Sequence, residues 1–206
     1  MTDCQSFIFE VGVGMDRPKP KRAAILEAAI QCFRDNGFAG TTVAQIVQKA
    51  GVAQGTFYLY FASKRELVPG IADTIIQEQL RRLNSSPPDT THSLHHLLET
   101  LVDVTFSITD EYRELITFCY SGSAYYHSFS YWESIYQPYY QWVKTQFLSL
   151  RGMGEMTLNG DEDYLVNFTV GLLEHGAENY YLFSEESQCL ETTKRELLEY
   201  LTRALK

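Results

Sequence analysis

The segment AGVAQGTFYLYFASKREL, Ala50 to Leu67, constrains the fold more than any other part of the chain. Five apolar or aromatic residues run unbroken from Phe57 to Phe61. Such a run suits a buried strand, a buried helical turn or a surface meant to be covered. The flanks decide. Upstream, TTVAQIVQKAG places Gln45 three residues after Thr42, the spacing of a capping box, with Thr41 or Thr42 as the cap. Val43, Ile46, Val47 and Ala50 then form a helical stripe, and Gly51 allows a sharp left-handed turn. Downstream, SKRE at 63–66 is a second capping-box pattern. Only a short helix over residues 53–61 fits between these signals, and a strand has no room. On that helix Phe57 and Phe61 share a face with Val52 or Ala53 and close a small core against Phe33, Ile46 and Val47. Gln54, Thr56, Tyr58, Leu59 and Tyr60 are left wholly or partly outward.

Two helices joined by a glycine turn, the second short and bearing Gln, Thr and two Tyr, predict a helix-turn-helix whose second helix enters a DNA major groove. Gln54 and Thr56 can bond base edges, Leu59 can touch a thymine methyl, and tyrosine hydroxyls suit phosphates. Gly55, without a Cβ, permits close approach of the backbone. A preceding helix over 21–36 follows from the spacing of Ile25, Ala28, Ala29, Cys32 and Phe33, with Gly37 as its C-terminal cap. The alternative is a three-helix core whose aromatics merely pack.

Charge supports a polyanion partner only when it is divided along the chain. The net charge is −9, yet from Arg17 to Arg82 ten basic residues face five acids, whereas from Leu83 onward seven face eighteen. A basic head joined to an acidic body suggests two tasks. RPKPKR, from Arg17 to Arg22, reads either as a solvated charge run or as an arm for phosphates or the minor groove.

The stretch ILEAAIQCFRDNGFAGTTVAQIVQKAGVAQGTFYLYFASKRELV resembles the N-terminal domain of the TetR family of bacterial transcriptional regulators, through G-F-x-x-T-T, I-x-x-x-A-G-V, G-T-x-Y-x-Y-F and S-K-x-x-L. The resemblance implies an all-α homodimer. Its N-terminal three-helix domain would bind palindromic double-stranded DNA, and its C-terminal helical domain would bind an effector and dimerise. By position it assigns Thr42, Tyr58 and Lys64 to phosphates and Gln54, Gly55, Thr56, Leu59 and Tyr60 to the groove. Ala53 departs from the serine common in the family, removing a helix cap and a phosphate bond. The domain divisions that follow are 1–17 as an N-terminal extension, 18–65 as the DNA-binding domain and 66–206 as the ligand-binding and dimerisation domain.

Beyond the head, one helix is expected from Ser63 to about Leu83, with Pro69 and Gly70 inside it as a kink that is either a hinge or a tolerated bend. Further helices are expected near 92–108, 110–120, 123–150, 161–183 and 190–205. The aromatic stretch from Phe118 to Phe147 either packs the interior or lines a cavity; the number of ring hydroxyls needing partners favours a cavity. Phe106, Phe118, Tyr125, Phe129, Trp132, Tyr136, Tyr140 and Glu174 are its candidate lining. Few basic residues follow Leu83, so a lipophilic effector, aromatic or cationic, fits better than a phosphorylated one. The alternatives are a fatty-acid-type ligand and a protein partner. Gly171, Gly176 and Ala177, with the leucine stripe of the last helix, resemble the family's dimerisation pair.

His92, His95 and His96 lack partnering ligands at metal spacing and read as a polar helix face. No phosphate-binding glycine loop, nucleophile elbow or zinc-protease motif is present, so an enzyme, a cofactor and a metal are not expected. Four dispersed cysteines and the lack of a membrane-length apolar run point to reduced thiols and a cytoplasmic location. The first fourteen residues make a poor signal peptide; with Met15 following, they read as a dispensable extension or an upstream start.

Overall fold

Proline is well placed where helix formation begins, because the first backbone N–H of a helix has no partner to lose. Helix α1 runs Pro20–Gly40, interrupted at Gly37, whose φ of 67° and ψ of 168° break the helical path. Helix α2, Val43–Lys49, starts at Thr42, where Thr42 and Gln45 form the expected capping box. Gly51, at φ 66°, turns the chain into α3, Gln54–Tyr60. The computed structural model describes residues 20–85, 93–126, 129–183 and 189–206, with the backbone alone over 121–126 and 129–130. The extension, Arg17 to Lys19, the loop with His92, and the Tyr125 and Phe129 side chains lie outside what it describes.

Two expectations about the connecting helix are corrected. Ser63 makes no side-chain cap; the Glu66 N–H donates to the Ser63 carbonyl at 3.2 Å, and residues Lys64–Leu67 form a 3-10 turn. Helix α4 then spans Val68–Ser85, so Pro69 is its second residue and removes no interior hydrogen bond. Pro69 therefore opens α4 instead of interrupting a helix that began at Ser63. Gly70 has a packing reason instead: a Cβ there would stand 3.0 Å from both terminal methyls of Leu26, which marks the close approach of α4 to α1.

Helix α5 is continuous over Leu94–Tyr126, not divided near residue 109. Thr109 is buried, and its hydroxyl donates to the Thr105 carbonyl one turn back at 2.9 Å, so it caps nothing. Helix α6 covers Phe129–Gly152 and α7 covers Glu162–Glu178, capped by Asp161 and continued by a π-helical turn over Asn179–Phe183. Helix α8, Leu190–Leu205, closes the body. Every element among the described residues is a helix.

Two apolar cores result. The head core joins Ile25, Phe33, Ile46, Val47, Phe57 and Phe61 from α1 to α3, but it is completed by Ile71 and Ile75 of α4 and by Ile108, Tyr112, Leu115 and Phe118 of α5. The body core gathers α4 to α8 around Leu98, Phe106, Tyr139, Phe147 and Leu173. Helices α4 and α5 belong to both.

Candidate DNA-reading helix and ligand cavity

Each face of α3 has one use. Phe57 is fully buried and Phe61 nearly so, which leaves no apolar surface of this helix unspent on the inner side. On the outer side Leu59 is 82% exposed and Tyr58 53% exposed, while Gln54 and Gly55 are open and Thr56 and Tyr60 are half-buried. Ala53 caps nothing through its side chain; the Thr56 N–H donates to the Ala53 carbonyl at 2.8 Å. A Cβ at Gly55 would meet nothing within 4 Å. The fold itself does not require glycine there.

Thr42 is exposed at the start of α2, with its hydroxyl and backbone N–H both engaged by Gln45. Thr41 is buried, and its hydroxyl sits 2.9 Å and 2.8 Å from the Cys32 and Gly37 carbonyls, fixing the break in α1. Lys64 is turned onto its own chain. Its ammonium donates to the Phe38 carbonyl at 2.8 Å and to the Thr41 carbonyl, and it stands 4.2 Å from the centre of the Phe38 ring. Burial lowers its pKa. In the free protein it ties the 3-10 turn to the end of α1.

Much of the positive charge counted along the head is paired. Lys49 meets Asp35 at 3.0 Å. Arg34 of α1 bonds Glu111 of α5 at 2.8 Å, Arg82 of α4 bonds the same carboxylate, and Glu78 accepts from Arg81 at 2.6 Å and Arg82 at 2.8 Å. Arg81, then Arg82, hold the Glu78 carboxyl down at about 2. These residues form an ionic ladder across α1, α4 and α5 rather than part of a free basic face.

Behind the head, α4 to α7 line a cavity of about 450 Å³ that is open to solvent on one side. Ile75, Ile76 and Gln79 come from α4; Thr105, Ile108, Thr109, Cys119 and Tyr120 from α5; Trp132 and Tyr136 from α6; Glu174 and Glu178 from α7. Gln79 is buried and its amide donates to the Thr105 hydroxyl at 3.4 Å. The Tyr120 hydroxyl donates to Glu178 at 2.6 Å. Burial, then the negative charge of Glu178, pushes the Glu174 carboxyl up to about 8, against a hydrogen bond from Tyr136. Glu178 is raised by burial too. Burial pushes the Cys119 thiol up to about 12, which keeps it an unreactive thiol.

Of the eight residues expected to line a cavity, Trp132, Tyr136 and Glu174 do so. Tyr140 lies beside Tyr136, ring centres 5.6 Å apart. Phe106 and Phe118 do not line it. Phe106 is fully buried in the body core near Tyr180 and Tyr181, and Phe118 stacks on Phe38 at 4.0 Å in the head core. Sequence reading missed Glu178, Tyr120 and the α4 wall. Glu174 and Glu178 are one turn apart, and Gln79 interrupts the apolar stripe of α4, so both signals were available.

The outer face of α7 and α8 holds a second groove, lined by Phe168, Gly171, Leu172, His175 and Tyr200. Tyr164, Phe168 and Tyr200 are 65%, 64% and 60% exposed. Only Gly171 of the three small residues faces this groove. A Cβ at Gly176 would come within 2.9 Å of Leu197 of the same chain, and Ala177 is buried in the body core.

A helix-turn-helix with a clean outward face, built on a helical body that borders a cavity, is the architecture of a DNA-binding regulator. Residues 25–71 match the family model described as bacterial regulatory proteins of the tetR family, and residues 98–205 match the tetracyclin repressor-like C-terminal domain. The chain is 36% identical to the HTH-type transcriptional regulator YvdT of Bacillus subtilis over 185 residues, 90% of this chain and 95% of that one. It belongs to the TetR family of transcriptional regulators. Among solved structures, FadR of Bacillus subtilis in complex with stearoyl-CoA is similar in fold, with a TM-score of 0.64 at 17% identity over 89% of this chain and 99% of that one. Salmonella enterica GusR gives a TM-score of 0.65 at 22% identity over 93% of this chain and 98% of that one. No helix among the described residues is long and apolar enough to cross a membrane.

Proposed function

We propose that this regulator is a cytoplasmic, non-enzymatic repressor. It binds a palindromic operator as a homodimer, with α3 in the major groove, and is released when a lipophilic effector enters the α4–α7 cavity. Gln54, Gly55, Thr56, Leu59 and Tyr60 face the bases and Thr42 and Tyr58 the phosphates. Lys64 supports the head from behind, with a donor to spare for a phosphate. The exposed apolar face of α7 and α8, with Tyr164, Phe168, Leu172 and Tyr200, supports dimerisation through the last two helices.

One observation carries the effector reading. Ile75 and Ile108 belong at once to the head core and to the cavity wall. A molecule that shifts α4 or α5 must disturb the packing beneath the reading helix, because close-packed interiors transmit displacement rather than absorb it. A ligand with different affinities for the two arrangements therefore changes DNA affinity. Fluorescence anisotropy of a labelled operator duplex, titrated with lipophilic compounds that raise the melting temperature, tests this. Bound compounds should weaken the complex by roughly 5- to 150-fold, the usual span of allosteric coupling. Compounds that fill the cavity and leave DNA affinity unchanged would favour control by a protein partner instead.

A further inference from the structure

We propose that the cavity takes a lipophilic monocation, an amine or quaternary ammonium on an apolar body, that Glu174 and Glu178 hold its charge, and that one proton leaves the cavity as the cation enters. The inference rests on the reading of this cavity as the effector site and adds the chemical class and the proton balance.

The two carboxyls sit one turn apart on α7 and both line the cavity. Among the described lining residues there is no lysine, arginine or histidine. The groups facing the pair can be named helix by helix. Helix α4 contributes only the neutral Gln79, and α5 contributes Cys119 and Tyr120. From α6 come Tyr136, with Tyr140 and Glu133 behind it. On α7 itself, His175 acts on Glu178 from the outer face. Apart from that histidine, every charged group in the set is acidic. Both carboxyls are half-buried, and an acid drawn out of water is either paired with a cation or held neutral, since an isolated charge there costs far more than a hydrogen bond returns. Here the only described partners are tyrosine hydroxyls, on Glu178 from Tyr120 and on Glu174 from Tyr136.

A cationic ligand supplies the missing counter-charge. The rings of Trp132, Tyr136 and Tyr120 add ring-face attraction, and Ile75, Ile76 and Ile108 receive the apolar body. An anionic head group, such as the phosphates of an acyl-CoA, would meet two acids and, among the described lining residues, no cation. While the cavity is empty, Glu174 stays protonated near neutral pH, in line with its raised carboxyl. The entering cation ionises it, and the displaced proton passes to solvent.

Calorimetric titration of the full-length dimer with decyltrimethylammonium, decanol and decanoate separates the charge from the chain. The cation should bind more tightly than the other two. Its Kd should fall about tenfold from about pH 6 to about pH 7, with about one proton released per ligand across buffers of different ionisation enthalpy. Glu174→Gln should abolish the pH dependence and leave the weak affinity seen at low pH. Glu178→Gln, a second variant in case the first folds poorly, should weaken the cation and spare decanol. Equal binding of decanol or decanoate, or cation binding independent of pH, would overturn the inference. Operator release by decanoate alone would do so while leaving the regulator reading intact. Proton-linked cation binding without operator release would support the site and contradict the coupling.

Discussion

On α3, Phe57 is sealed in the core while its neighbour Leu59 is 82% exposed. On α7 the arrangement is inverted: Glu174 and Glu178 line the cavity, and Tyr164 and Phe168 lie open on the outside. The head spends its apolar residues on a closed core and shows polar groups and one leucine outward, as a surface that meets a hydrated duplex requires. The body has titratable groups on the wall of its cavity, and its outward apolar surface suits another protein face. The two regions share α4 and α5, so the difference between them is also a connection. One side of each helix stabilises the reading head and another borders the cavity.

The comparison can be broken most severely in the head. Phe57→Ala removes a fully buried ring at the centre of that core and should cost about 3–5 kcal/mol. Denaturant unfolding should show this loss, and operator binding should disappear with it. If the head tolerated the change, its core would not be as closed as its burial indicates.

The body should respond to pH instead. With its folded carboxyl raised to about 8 from an ordinary 4.5, Glu174 holds a proton in the folded protein that the unfolded chain has released. Its contribution is fully present below the ordinary value and is lost as pH rises toward the folded one. Stability should fall with a slope approaching 1.4 kcal/mol per pH unit, about 2 kcal/mol between roughly pH 6 and pH 8. Glu174→Gln should flatten that dependence in urea unfolding curves. A wild-type slope unaffected by the substitution would place the titration elsewhere.

The smallest and most selective change is Gly55→Ala. A Cβ there has open space on the free protein, and alanine is the better helix former, so stability should hold or rise by about 0.5–1 kcal/mol. Operator affinity should nevertheless drop several-fold. Unaltered affinity would mean that the backbone of α3 does not come close to DNA.

How much of this was legible in the sequence follows the same division. The head is built from short-range signals: the Thr42 and Gln45 capping box, the left-handed Gly51, and the four-residue spacing of Phe57 and Phe61 are local, and all are found in the structure. Local reading failed where two outcomes share one pattern. Ser63 to Glu66 has the capping-box spacing, yet a 3-10 turn satisfies the same backbone without the serine hydroxyl. The division expected between 92–108 and 110–120 is absent, and Thr109 at that point bonds back along a continuous helix. Charge was legible as a sum but not in its placement: Glu78 was already counted against the head, and only contacts show Arg81 and Arg82 on it and Arg34 and Arg82 on Glu111 of the body. The cavity depends on contacts across large separations, Tyr120 to Glu178 being 58 residues apart. Aromatic content could say that rings would gather, but only packing decides that Phe118 joins the head and Trp132 the cavity.

Selection of bound duplexes from a random pool, with wild type and Tyr58→Ala in parallel, tests the central claim most directly: α3 of two copies reads one piece of DNA. The expected product is an inverted repeat with half-site centres about one helical turn apart, roughly 34–36 Å, enriched by the wild type and much less by the variant. Recovery of a lone half-site, or of no consensus at all from a folded protein, would contradict it.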